Sequence, residues 1–175
     1  DSAYAWQGFI PTEENPMIKN PERGFVSSAN QKSTDQTYPY YLGAASNFPV
    51  YRGVIINRKL SELTNATAQD IQRLQMDNYN VFAEMARPVL MKYIDQTSLT
   101  ADEKKYINIL CSWNLVSDVK EKGASVFNVI WDSLETTIWS DEFAGATTSI
   151  GWPDEITLLE SIKRDSLYSF ADNIK

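Results

Sequence analysis

Histidine is absent from this chain. That absence removes Ser-His and Cys-His nucleophile pairs, and every histidine-ligated metal site, from what these 175 residues can do by themselves. Cysteine is nearly absent too. Cys111 is the single thiol, so no internal disulfide can form and the redox compartment is left open. Long apolar runs are missing: stretches such as Pro88-Val89-Leu90-Met91 fall far short of the ~20 residues a membrane-spanning helix needs. Positive charge is scarce, with 16 Lys and Arg against 23 Asp and Glu and a formal net charge of −7. Since no stretch gathers the basic residues into a patch, a nucleic-acid partner is not expected. Neither EF-hand spacing nor a phosphate-cradling glycine loop occurs.

What is present is globular. Hydrophobic residues make up 43% and aromatics 12%, enough to predict a packed core within one domain, or within a compact domain carrying an arm. The first residue is Asp1 rather than Met and no signal segment is visible, so the chain reads as an excerpt of a larger protein.

Residues 1–57 hold most of the prolines and glycines and read as turns and short extended pieces. Gly24–Asn30 is the best strand candidate and Arg52–Ile56 a second, apolar one. Two such strands do not make a stable sheet, a further sign of missing partners. From Leu60 the period becomes helical. Thr67 and Asp70 stand at capping-box spacing and predict a helix from about Ala68. Its apolar face runs through Ile71, Leu74, Val81, Met85 and Val89, Pro88 is expected to kink or divide it near Ala86, and it resumes to about Tyr93.

Thr100-Ala101-Asp102-Glu103 is a capping box, predicting a second helix to about Ser112 with Cys111 in its core. A loop ending in Gly123 precedes a third helix of about fifteen residues built on Val126, Phe127, Ile130, Leu134 and Ile138. After a loop over 140–152, Trp152-Pro153-Asp154-Glu155 opens a fourth helix, with Pro near its first position, that ends near Arg164. Leu167, Tyr168 and Phe170 are expected to dock as a last turn. The fold class is therefore mainly α: an all-helical domain over 58–175, preceded by an extended segment over 1–57 with one or two short strands.

Few residues offer chemistry by type and spacing alone. The carboxylate pairs Glu13-Glu14, Asp132-Glu135, Asp141-Glu142 and Asp154-Glu155 read as solvated helix faces or first-turn charge rather than as paired catalytic acids. Ser2 lacks the α-amine that an N-terminal nucleophile uses as its base, because Asp1 precedes it. Asn65-Ala66-Thr67 matches a glycosylation sequon, yet a helix cap explains it without a glycan. Asn30 by spacing alone is a turn residue at a strand end.

One run says more. Trp6-Gln7-Gly8-Phe9-Ile10-Pro11, Asn20-Pro21-Glu22-Arg23-Gly24-Phe25-Val26-Ser27-Ser28-Ala29-Asn30-Gln31, Tyr38-Pro39 and Tyr51-Arg52 together resemble the large (β) subunit of the penicillin acylase family. The shared pattern is Asn-Pro-x-x-Gly-(apolar)-x-x-x-x-Asn. The resemblance is strongest over residues 6–60. It continues more weakly through Leu74-Gln75-Met76-Asp77, Ser112-Trp113-Asn114 and Val126-Phe127-Asn128. It implies a fragment of an N-terminal-nucleophile (αββα) hydrolase, of the penicillin amidase and acyl-homoserine lactone acylase type, that cleaves a linear amide. The nucleophilic serine would lie upstream of this chain and a small subunit would complete the enzyme.

By motif position, the resemblance makes Asn30 the side chain whose N–H meets the oxyanion, and Arg52 part of the network around it. It implies no cofactor. Some relatives place a calcium-binding aspartate three residues after the Tyr-Pro pair, and here that position is Leu42, so this chain does not support a calcium site. A periplasmic or exported location also follows from the resemblance alone. The alternatives are a non-catalytic binding module, with five Trp and nine Tyr available to line a groove, and a purely structural helical domain.

Overall fold

The computed structural model describes residues 5–6, 8–42 and 49–164. It is mainly helical, and among the described residues the only β pairing is an isolated antiparallel bridge between Tyr79 and Val116. The chain divides into two compact units, Asp1–Leu74 and Gln75–Lys175.

The first unit begins with irregular chain pinned by side chains. Thr12–Glu14 form a short 3-10 turn, and Glu14 holds two tyrosines to it. Its carbonyl accepts from the Tyr38 hydroxyl at 2.9 Å and its carboxylate from the Tyr40 hydroxyl. The latter bond, ending on a negative charge, raises the Tyr40 hydroxyl above the ordinary tyrosine value. No strand forms over Gly24–Asn30, contrary to the expectation from its sequence. The reason lies in its backbone partners: the Phe25 carbonyl accepts from Arg23, the Ser27 carbonyl from Gln31, and the Ala29 N–H donates to Gln31. Side chains satisfy groups that a ladder would otherwise claim.

The second expected strand is corrected outright, since Arg52–Ile56 lies inside helix α1, Tyr51–Glu62. β-branched Val54, Ile55 and Ile56 lower helix propensity by only a few tenths of a kcal/mol each, which a docked helix face easily outweighs. Helix α2, Ala68–Gln75, starts where Thr67 and Asp70 predicted. The Asp70 carboxylate accepts from the Thr67 N–H and hydroxyl at 2.9 and 2.6 Å, and the Thr67 hydroxyl accepts from the Asp70 N–H.

The expected kinked helix over 68–93 is instead two helices. Asp77 accepts from the Tyr79 N–H, Tyr79 pairs with Val116, and the Asn80 side chain caps Ala83 at 2.8 Å, so the chain restarts as α3, Val81–Tyr93. Short polar side chains that bond their own backbone make that break. Pro88 lies inside α3 without ending it. Losing one backbone bond there costs about 3 kcal/mol, whereas burying Phe82 and Leu90 returns roughly 2–3 kcal/mol each.

Helix α4, Ala101–Ser112, carries the full capping box of Thr100 and Glu103. Its C-terminal carbonyls at Leu110 and Trp113 accept from the Arg87 guanidinium of α3 at 3.2 and 2.8 Å, a cation placed where the helix dipole favours one. Cys111, expected in the core, is exposed. Helix α5 runs from Lys122 to Trp139, so Gly123 belongs to the helix rather than to the loop before it. Helix α6, Glu155–Lys163, is capped by Asp154, whose carboxylate accepts from the Thr157 N–H at 2.8 Å; Pro153 therefore sits just ahead of the cap. The expected turn at Leu167, Tyr168 and Phe170 lies outside the described residues.

Helix α4 packs on α5 and α3 on α6. The core centres on an aromatic cluster in which Phe82 meets Trp131 edge-on at 4.6 Å and Phe127 at 5.6 Å, with Trp113 beyond at 6.2 Å from Phe127.

The caps carry a pH signature. Bonds from the hydroxyls and then the N–H groups of Thr67 and Thr100 hold Asp70 and Glu103 below their ordinary values of 3.8 and 4.5. The unfolded chain takes up these protons first. Their contribution is therefore complete above the ordinary values and lost as pH falls through the lower folded ones. The melting temperature should fall as pH drops below about 4, and Thr100→Ala should shallow that fall. An unchanged slope in Thr100→Ala would mean that Glu103 does not share in it.

Candidate active site

The site is built in the first unit from one loop and the first turns of one helix. The loop opens with a tight turn in which the Gly24 N–H donates to the Pro21 carbonyl at 2.9 Å, and Gly24 takes φ +76°, which a side chain would resist. Arg23 folds over the Phe25 ring at 4.8 Å. Asn30 also has positive φ, +61°, a conformation asparagine tolerates better than other side-chain-bearing residues.

Asn30 and Arg52, assigned together by motif position, are in contact. An Arg52 Nη donates to Asn30 Oδ1 at 2.5 Å, with both residues exposed. The guanidinium fixes which way the amide faces, because its oxygen is held. It also polarises the amide, making the Nδ2 hydrogens stronger donors than those of a free asparagine. A donor held this way can stabilise negative charge that appears on a neighbouring oxygen.

Two further residues of this site went unassigned in the sequence. Gln31 folds back on the loop, and Asn57 on α1 accepts from the Ser27 hydroxyl at 2.9 Å and from Arg23 at 3.2 Å while donating to the Gly53 carbonyl at 2.6 Å. Asn57 stands one helical turn after Gly53, so the period of α1 was its only available signal. An open cavity of about 870 Å³ beside the loop is lined by Arg23, Ser27, Gln31, Tyr38 and Asn57, but not by Asn30 or Arg52. Three carboxylates of the pairs singled out in the sequence have other partners. Glu14 is bonded to Tyr40, Glu135 accepts from the Trp131 indole at 2.8 Å, and Asp154 is a cap. Leu42 is 45% exposed, and among the described residues no three His, Cys, Asp or Glu side chains gather as a metal site would need. Ser2 lies outside the described residues.

A family model for penicillin amidase matches residues 1–174. The chain belongs to the penicillin amidase family. Penicillin amidase and its relatives are hydrolases that act on amides. Among the relatives of this chain, the penicillin acylase 2 proenzyme of Pseudomonas sp. (strain SE83) is 26% identical over 131 residues, 75% of this chain and 16% of that protein. The acyl-homoserine lactone acylases QuiP of Pseudomonas syringae pathovars tomato and syringae are 25% and 27% identical, over 51% and 47% of this chain and 11% and 10% of theirs. The chain thus spans about a tenth to a sixth of the length of these relatives. No solved structure gives a significant match. Among the described residues no helix is long and apolar enough to cross a membrane.

Proposed function

We propose that this chain is part of the large subunit of an exported amidohydrolase that cleaves a linear acyl-amide, and that it supplies the oxyanion donor Asn30 and its holder Arg52. The observation that carries the reading is the Arg52–Asn30 bond, formed between the two positions that the family's motif singles out. The nucleophile is a serine in the part of the enzyme outside these residues, with its own α-amine as base, and a small subunit completes the site.

The serine oxygen adds to the substrate carbonyl carbon and the amine takes its proton. The negative charge then appears on the former carbonyl oxygen, where Asn30 Nδ2 donates. Collapse expels the amine with that proton, and water releases the acyl group from serine. Arg52 acts before any of this by keeping Oδ1 turned away from the oxyanion.

Because the nucleophile belongs to another part of the enzyme, the purified 175-residue chain should show no turnover of phenylacetyl or long-chain acyl amides. Activity that persisted through repurification and vanished in Ser2→Ala would overturn this assignment of the nucleophile.

A further inference from the structure

Asn30 is held from two sides, and only one of them is Arg52. The other is the side chain of the next residue. Gln31 Oε1 accepts from the Ala29 N–H at 2.6 Å, and Gln31 Nε2 donates to the Ser27 carbonyl at 3.0 Å. One amide therefore bridges the loop that carries Asn30 and closes it into a ring, with Ala29 buried at 6% exposure beneath. Within that ring Asn30 alone takes the left-handed conformation. A free loop would sample extended and right-handed forms at Asn30 as well.

The same amide also sets the distance from loop to helix. Gly53, the residue after Arg52, is buried, and a Cβ placed on it would stand 3.5 Å from Gln31 Oε1. Gln31 thus rests against α1 beside the arginine that must reach Asn30. One turn along, Asn57 anchors Ser27 and Arg23 to α1. The Asn30–Arg52 contact sits within a loop docked at Gly53 and at Asn57.

We propose that Gln31 is a positioning residue for the oxyanion donor: its two hydrogen bonds fix the left-handed turn and the loop–helix spacing that aim the Asn30 amide. The proposal rests on the reading of Asn30 as the oxyanion donor. Gln31 touches no substrate in this scheme, so its effect passes through Asn30. A misplacement of about 1 Å in such a group is worth up to ~100-fold in rate.

The test is a double-mutant cycle in the full-length matured enzyme. Gln31→Met keeps the shape and removes both bonds; it should lower kcat by about 10- to 100-fold with little change in KM. Gln31→Glu keeps the acceptor for the Ala29 N–H and should lose less. In an Asn30→Ala background, Gln31→Met should lower kcat no further, a readout that a general loss of stability would not give.

Equal losses in both backgrounds, or near-normal kcat for Gln31→Met alongside an impaired Asn30→Ala, would overturn the positioning role and leave the oxyanion reading intact. Near-normal kcat for Asn30→Ala would overturn that reading and this inference with it. If Gln31→Met does not fold, Gln31→Glu runs the same cycle: a loss confined to the Asn30 background supports the role, and an equal loss in both refutes it.

Discussion

Asn30→Ala in the full-length matured enzyme should lower kcat by about two to three orders of magnitude, roughly 3 kcal/mol of barrier, while KM stays near its normal value. An oxyanion donor acts on charge that exists only in the transition state, so ground-state binding barely registers its loss. Asn30→Asp sharpens the result. It preserves shape and offers Arg52 a better partner, so a purely structural Asn30 would tolerate it. An acceptor facing an oxyanion, however, repels it, and Asn30→Asp should be no more active than Asn30→Ala. Arg52→Ala should also lower kcat, by less, and its effect should not add to that of Asn30→Ala, since both act through one hydrogen bond. Near-normal kcat in a well-folded Asn30→Ala enzyme, with folding checked by thermal melting, would return Asn30 to the rank of an ordinary loop residue.

The second large effect is on stability, at Gly123. In a helix, Gly→Ala ordinarily stabilises by up to about 1 kcal/mol. At Gly123 the new Cβ would lie 2.2 Å from Cγ, 2.3 Å from Cβ and 2.7 Å from Cδ2 of Trp113, closer than atoms can approach. Trp113 cannot easily withdraw. It is 4% exposed, its indole donates to the Val116 carbonyl at 2.8 Å, and its own carbonyl is held by Arg87. Overpacking of this kind costs about 1–3 kcal/mol or more, so the clash outweighs the helix gain.

Gly123→Ala should therefore unfold at lower urea concentration than the parent chain. Gly53→Ala is the control, because its nearest neighbour would be 3.5 Å away, an ordinary contact, and it should be neutral or stabilising. A Gly123→Ala chain that resists urea better than its parent would show that α5 does not press on Trp113 this closely.

The contrast between these glycines shows what the sequence could and could not convey. Capping chemistry is local, which is why Thr67 with Asp70 and Thr100 with Glu103 placed the starts of α2 and α4 correctly. The apolar period of Phe127, Ile130 and Leu134 likewise located α5. Gly123 read as a loop residue because the reason for a glycine there, Trp113, comes from a different element. The apolar run after Gly53 read as a strand because propensity separates helix from strand by only tenths of a kcal/mol per residue. What decided the matter was docking between distant stretches of chain: Gln31 rests against Gly53, 22 residues on, and Asn57 holds Ser27 and Arg23 from 30 and 34 residues back. Pro88 drew the predicted break toward itself, while the actual break formed at Asp77–Asn80, where polar side chains compete for the backbone. Motif spacing singled out Asn30 and Arg52, which the structure brings into contact, whereas nothing local marked Gln31 or Asn57 as their neighbours.

Cys111 turned out to be exposed on α4, its thiol 3.7 Å from the Met91 sulfur. As the chain's single thiol, it is a ready-made attachment point: a maleimide dye would label these 175 residues at one known position on α4 without any engineering. The same dye would register by its fluorescence whether that stretch of helix is still open to water once the rest of the parent protein is assembled around it.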